Sequence, residues 1–198
     1  MNDFIFHTER GAPDKPVWLL LHGTGGDEHD LGPLAKQIAP DWGILSPRGQ
    51  VNENGQNRYF RRLADGVFDL EDMAQRSQDL TNFIAQKKTS RKLIALGYSN
   101  GANMIASLLL RGMSNIDGAV LLRPTLPFVP DILPKIELPV LILTGSLDQV
   151  TLAQYGEELG TLLTKAGADV SYQLRSTTHG LNDQDIVRTR DWLKTIGE

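Results

Sequence analysis

The sequence contains no cysteine in 198 residues. That absence removes a disulfide framework, a thiolate nucleophile and cysteine-ligated zinc. Histidine is scarce too: His7, His22, His29 and His179 are the whole supply. Neither sign of charge dominates, with 20 Lys and Arg against 24 Asp and Glu and a net charge of -4. This speaks against a nucleic-acid binder driven by electrostatics. No apolar run approaches the roughly 20 residues of a membrane span, so no membrane partner is expected. The first residues, Met1-Asn2-Asp3-Phe4-Ile5-Phe6-His7, hold neither a basic stretch nor a long apolar one. No signal peptide is read there, and a cytoplasmic protein is expected.

What is present suits one globular domain over residues 1–198. The chain is 40% apolar and 22% charged, enough to bury a substantial core. Val17–Leu21, Trp42–Ser46, Leu93–Leu96, Ala119–Leu122 and Leu138–Leu143 are short continuous apolar runs, as strands buried on both faces require. Phe4–Thr8 is an edge-strand candidate and Val170–Leu174 alternates. Between the runs lie amphipathic stretches. One runs through Leu31, Leu34, Ala35 and Ile38 with Asp30 as its expected cap. Others run from Leu70 to about Lys87, from about Leu152 to Lys165, and from about Gln184 to Ile196. Strands alternating with helices predict an α/β fold with a mostly parallel central sheet flanked by helices. Residues 49–66 show little periodicity and read as a long loop.

One stretch carries chemistry. Leu96-Gly97-Tyr98-Ser99-Asn100-Gly101-Ala102-Asn103 follows an apolar strand and opens the helix-like run Met104–Leu110. Strand, glycine-flanked serine, helix is the setting in which G-x-S-x-G places an exposed, strained nucleophile. With 19 glycines in the chain, the bare pattern arises by chance about one time in ten. A glycine-rich turn with a serine helix cap satisfies it equally well. The remainder of the chain must therefore supply a base, an acid and an oxyanion hole.

In hydrolases built on this turn the order is Ser, acid, His. Only His179 lies after Ser99, between the last strand and the last helix. Asp148 leaves the C-terminal end of the Leu138–Leu143 strand, where sites form in parallel sheets. Asp131 is the second candidate for the acid; Asp117 and Asp169 precede their strands, and Asp183 and Asp185 suit the cap of the last helix. A serine hydroxyl needs a base, and a carboxylate fixes the tautomer of that base. The oxyanion requires two N–H donors. The residue after the nucleophile, Asn100, supplies one, and Thr24 in the glycine-rich turn His22-Gly23-Thr24-Gly25-Gly26 supplies the other.

With these residues in hand, the chain resembles the phospholipase/carboxylesterase family of small α/β-hydrolases, which includes acyl-protein thioesterases. The resemblance spans about Val17 to His179. It rests on Leu-Leu-Leu-His-Gly-Thr-Gly-Gly at 19–26, Gly-Tyr-Ser-Asn-Gly-Ala-Asn at 97–103, Gly-Ser-Leu-Asp at 145–148 and His179-Gly180. Arg-Tyr-Phe-Arg-Arg at 58–62 and Gly-Val-Phe-Asp at 66–69 are closer to bacterial esterases grouped with hydroquinone-linked hydrolases. The eukaryotic thioesterases typically carry Ser-Gln-Gly-Gly, so Asn100 and Ala102 tell against action on lipidated proteins. The resemblance implies an α/β-hydrolase fold with a minimal lid, a carboxylesterase working through an acyl-enzyme, and a homodimer as a plausible assembly. The chemistry calls for no metal and no organic cofactor. The alternatives are a thioesterase or lysophospholipase with the same triad, or a non-catalytic ligand-binding protein on the same fold.

The 49–69 segment is expected to overhang the site. Tyr59, Phe60 and Phe68 are candidates for an acyl or aromatic pocket, and Arg61, with Arg58 and Arg62, for a substrate anion. The alternative is that the aromatics pack the loop down and the arginines pair with Asp65, Asp69 and Glu71. Leu126 and Phe128, in the loop after the fourth apolar run, are candidates for the opposite wall. The expected partner is a small-molecule ester.

Overall fold

The computed structural model describes residues 4–64, 66–113 and 115–198. In chain order the elements are β1 (Phe6–Glu9), β2 (Val17–Leu21), α1 (Gly32–Ile38), β3 (Gly43–Pro47), β4 (Val51–Glu53), β5 (Gln56–Arg58), β6 (Arg62–Ala64), β7 (Val67–Phe68), α2 (Leu70–Lys87), β8 (Leu93–Tyr98), α3 (Asn100–Leu110), β9 (Gly118–Leu122), β10 (Pro139–Gly145), α4 (Ala153–Lys165), β11 (Asp169–Arg175) and α5 (Asp183–Thr195). Seven strands form the main sheet in the order β1-β3-β2-β8-β9-β10-β11. β1 pairs antiparallel to β3; the other neighbours are parallel. This is a mostly parallel α/β sheet with helices on both faces.

The two faces follow from the strand period of two. Leu19, Leu21, Ala95, Leu121 and Ile142 point to one side and pack with residues of α2, α3 and α4. Trp18, Leu20, Leu96, Val120 and Leu143 point to the other and pack with α1 and α5. Both sets are buried, which is why these strands read as unbroken apolar runs.

Strand order places the site. β2 lies between β3 and β8. The chain therefore leaves the sheet in opposite directions from adjacent strands, and a crevice opens at their C-terminal ends. The turn after β2 carries His22–Gly26 and the turn after β8 carries Ser99.

Several expectations shift. The edge strand starts at Phe6 rather than Phe4. Asp30 does not cap α1: the helix begins after Leu31, with no side-chain cap, and a proline in its first turn sets the backbone instead. The cap of α5 is Asn182, whose side chain accepts from Gln184 N–H, while Asp185 completes the capping box by accepting from Asn182 N–H. Residues 49–66 are not a plain loop. β4 and β5 pair across Asn54-Gly55, both at positive φ (53° and 85°), and β6 pairs with β7. Two consecutive positive-φ residues match the right-handed twist of a tight hairpin, and Asn-Gly is the pair that tolerates them. Asp65, expected to pair with the arginines, lies outside the described residues.

Candidate active site

Ser99 sits between β8 and α3 at φ 51° and ψ −109°, a conformation that L-residues rarely adopt. Packing forces it. A β-carbon on Gly101 would collide with the Leu21 carbonyl oxygen, and one on Gly97 would stand 2.7 Å from the Ala102 nitrogen. The helix thus starts hard against β2 and β8, and Ser99 N–H donates to the Leu122 carbonyl at 2.9 Å. The first N–H groups of α3 have no acceptor within the helix, so they offer partial positive charge at its start.

The imidazole of His179 bridges two groups. Its Nε2 stands 3.0 Å from Ser99 Oγ and its Nδ1 2.8 Å from Asp148 Oδ2. Asp148 is buried, and its other oxygen accepts from the N–H groups of Val150 and Thr151 at 2.8 and 2.9 Å. Those bonds fix the carboxylate and fold the turn after β10 into a wall of the cavity. With the carboxylate accepting from Nδ1–H, Nε2 is left as an acceptor facing the serine hydroxyl. Asp131, the second candidate for the acid, is exposed and lines a separate opening with Arg111 and Phe128.

Ser99 lies in a cavity of about 540 Å³. Thr24, Asn100, Asn103, Phe68, Leu126 and Tyr155 are among its lining residues. Thr24 and Asn100 therefore reach the space beside the serine from two neighbouring strands.

No family model matches the chain. The Bacillus subtilis (strain 168) protein named Putative hydrolase MhqD is 41% identical over 192 residues, covering 94% of this chain and 96% of that protein. The chain belongs to the phospholipase/carboxylesterase family. Solved structures agree with this membership. The Bacillus cereus carboxylesterase superposes with a TM-score of 0.91 at 38% identity, over 96% of this chain and 92% of that one. A carboxylesterase from Mesorhizobium loti superposes at 0.81 with 30% identity, over 93% and 90%. The fold is thus the α/β-hydrolase fold, and as a family member the chain is a hydrolase.

The candidate substrate residues divide. Phe68 and Leu126 line the cavity around Ser99. Tyr59 and Phe60 do not; they are 2% and 0% exposed and belong to the core, where Phe60 packs edge-on against Phe68 at 5.0 Å. Arg61 is turned outward, 60% exposed, and pairs with Asp69 at 3.0 Å and Asp72 at 3.5 Å. Phe128 lies under the Arg111 guanidinium, 4.4 Å from it, at the separate opening. The hairpins explain these corrections. After β5 ends, Tyr59 and Phe60 both turn into the core, Tyr59 beside His22 and Phe60 beside Phe68, so the aromatics support the segment instead of walling the cavity.

Other residues shape the site without a sequence motif to announce them. Arg123, wholly buried and at φ 55°, follows β9. Its guanidinium bonds Asp185 twice at 2.9 Å and reaches the carbonyls of Thr178 (3.1 Å) and Gly180 (3.3 Å), on either side of His179. Tyr98 donates to the His179 carbonyl at 3.2 Å, and burial holds its phenol above the ordinary value. Asn103 accepts from Thr125 N–H at 2.8 Å and so ties the loop after β9 to α3. His22 is a buried neutral imidazole: burial lowers its pKa, Nδ1–H donates to the Gly23 carbonyl at 2.6 Å and Nε2 accepts from Gly49 N–H at 2.9 Å. The detectable signal for Arg123 is a charged residue at the C-terminal end of a buried parallel strand.

Among the described residues, no helix is long and apolar enough to cross a membrane.

Proposed function

We propose that this family member is a serine carboxylesterase that cleaves esters of small soluble substrates through an acyl-enzyme. The observation that carries the reading is the continuous contact from Ser99 Oγ through His179 to Asp148, at 3.0 and 2.8 Å, opening on a cavity. His179 Nε2 takes the Ser99 proton as Oγ attacks the ester carbonyl carbon. Asp148 holds the imidazole by Nδ1 and stabilises the imidazolium as it forms. The N–H groups of Thr24 and Asn100 bind the oxyanion; one such donor contributes about 3–4 kcal/mol to the transition state. Collapse expels the alcohol, which takes the proton from His179 Nε2 and leaves the acyl group on Ser99. Water, deprotonated by the same nitrogen, releases the acid. Phe68 and Leu126 supply apolar wall for the ester.

The similarity to carboxylesterases of known structure supports ester over other bonds. Hydrolysis of p-nitrophenyl esters of increasing acyl length, by wild type and Ser99→Ala, tests the proposal. Turnover highest for short chains and abolished by the substitution is expected. A folded wild type that neither turns over these esters nor reacts with a fluorophosphonate at Ser99 would instead mark a binding protein on this fold.

A further inference from the structure

Three consecutive residues, Asn57, Arg58 and Tyr59, each touch a different part of the turn after β2, which carries the proposed oxyanion donor Thr24. Asn57 accepts from Gly25 N–H through its carbonyl at 2.9 Å and donates from Nδ2 to the Gly26 carbonyl at 2.8 Å. Arg58 donates from Nη1 to Thr24 Oγ1 at 2.8 Å. The Tyr59 hydroxyl accepts from His22 N–H at 3.2 Å and donates to the Pro47 carbonyl at 2.7 Å, and its ring lies tilted by 37° beside that of His22, with centroids 4.7 Å apart. Tyr59 N–H then donates to Asn100 Oδ1 at 2.8 Å. One short segment thus grips the turn after β2 along its length and, at its last residue, the start of α3.

The turn needs such support. It is glycine-rich, with Gly25 at φ 85°, and Thr24 is exposed at the cavity. Glycine-rich backbone has many conformations to lose when it is fixed. Oxyanion donors act only when held about 2.7–3.1 Å from the position the charge will occupy. Thr24 and Asn100 hang from different strands, so their spacing depends on whatever joins the two turns. Arg58 is built for this position: it is buried, its Nε donates to the Phe60 carbonyl at 3.4 Å, and Glu53 lies 3.6 Å away.

We propose that Asn57-Arg58-Tyr59 is a splint that keeps the two oxyanion donors in register, and that Arg58 is a positioning residue acting through the Thr24 hydroxyl. This rests on the serine-hydrolase reading above. Because the donors grip the oxyanion far more tightly than the ground-state ester, loss of the splint lowers kcat with little change in KM.

The experiment uses the full chain as Arg58→Met, Arg58→Lys, Thr24→Val, Thr24→Ser and the double variant Arg58→Met/Thr24→Val. Active enzyme is counted by fluorophosphonate titration of Ser99. A wild type that is neither labelled nor active would sink the serine-hydrolase reading itself, which keeps the two failures apart. Arg58→Met is expected to lose about 10- to 100-fold in kcat, the scale of a donor displaced by up to 1 Å. Its KM stays within about twofold, and its Ki for a trifluoromethyl ketone worsens in step with kcat/KM. Thr24→Val matches that loss, Thr24→Ser, which keeps the hydroxyl that Arg58 bonds, loses less than Thr24→Val, Arg58→Lys recovers part of the rate, and the double variant is no worse than the worse single. Should Arg58→Met not fold, the contrast between Thr24→Val and Thr24→Ser decides. The proposal is overturned if Arg58→Met and Thr24→Val turn over like wild type. It is also overturned if Arg58→Met raises KM at unchanged kcat, which would mean that Arg58 grips substrate, or if the two losses multiply in the double variant.

Discussion

Replacing Arg123 by methionine would separate two tasks that this side chain performs together. Its guanidinium is wholly buried, bonded twice to Asp185 at 2.9 Å and once each to the carbonyls that flank His179. Methionine leaves the buried Asp185 carboxylate with only Asn182 N–H as a hydrogen-bond donor among the described residues. Stranding one member of a buried pair costs about 3–5 kcal/mol. In a domain of this size each kcal/mol moves Tm by about 2–4 °C, so a drop of roughly 6–20 °C is expected. Arg123→Met combined with Asp185→Leu removes the stranded charge, and apolar replacement of a buried pair is often close to neutral. That double variant should regain most of the lost Tm, short by the capping interaction, worth about 1 kcal/mol. Turnover should not return with it. Neither variant holds the Thr178 and Gly180 carbonyls, so His179 Nε2 loses the support for its 3.0 Å contact with Ser99. A displacement of about 1 Å costs on the order of 100-fold in rate. The assay pairs thermal unfolding by circular dichroism with p-nitrophenyl acetate hydrolysis well below either midpoint. A double variant that regains kcat together with Tm would refute the positioning role. A single variant with unchanged Tm would refute the buried-pair argument.

Two further predictions concern strain and protonation. Ser99→Gly should abolish turnover yet raise stability, because glycine relieves a backbone strain of about 1–3 kcal/mol and gives back about 0.5–1 kcal/mol through the flexibility of the unfolded chain. Ser99→Ala keeps the β-carbon and the strain, so a glycine variant melting no higher than the alanine variant would contradict this. His22 is held neutral by burial, its pKa below the ordinary 6.5. Between its folded and unfolded values the unfolded chain binds more protons, so the stability it contributes is present above about pH 6.5 and falls as the solution is acidified. Urea midpoints at several pH values, for wild type and His22→Gln, should show a shallower acid-side slope in the variant; identical slopes would remove His22 from the explanation.

Much of this arrangement is legible in the residues. The sheet is, because strands buried on both faces leave continuous apolar runs, and Leu93–Tyr98 and Pro139–Gly145 fall on such runs. The Ser99–His179–Asp148 contact is legible in part by elimination: one histidine follows Ser99, and of the aspartates between them Asp148 and Asp131 leave strands at the C-terminal end, a choice that only the contact of Asp148 with His179 decides. The Arg123 clamp is not. Its partners Thr178, Gly180 and Asp185 lie 55, 57 and 62 residues away, and no local period links them. The hairpin at 51–58 falls between these cases. Asn54-Gly55 is a strong turn signal, but the strands it joins are three residues each and too short to alternate visibly.

The 49–69 segment shows where composition stops informing. Its aromatics and arginines suit a substrate pocket and a structural support equally, because both demand apolar surface and directed N–H groups. Which one a residue serves depends on the side of the strand it occupies, and a one-residue change of register exchanges the two. In Arg58-Tyr59-Phe60-Arg61 the alternation sends Arg58 and Phe60 one way and Tyr59 and Arg61 the other only while the chain is extended. After Arg58 β5 ends, and Tyr59 and Phe60 both turn into the core while Arg61 faces solvent. A pocket drawn from the residue types alone therefore takes Tyr59 and Phe60 for walls, when Tyr59 bonds Asn100 and His22 from within the core and Phe60 packs beneath Phe68.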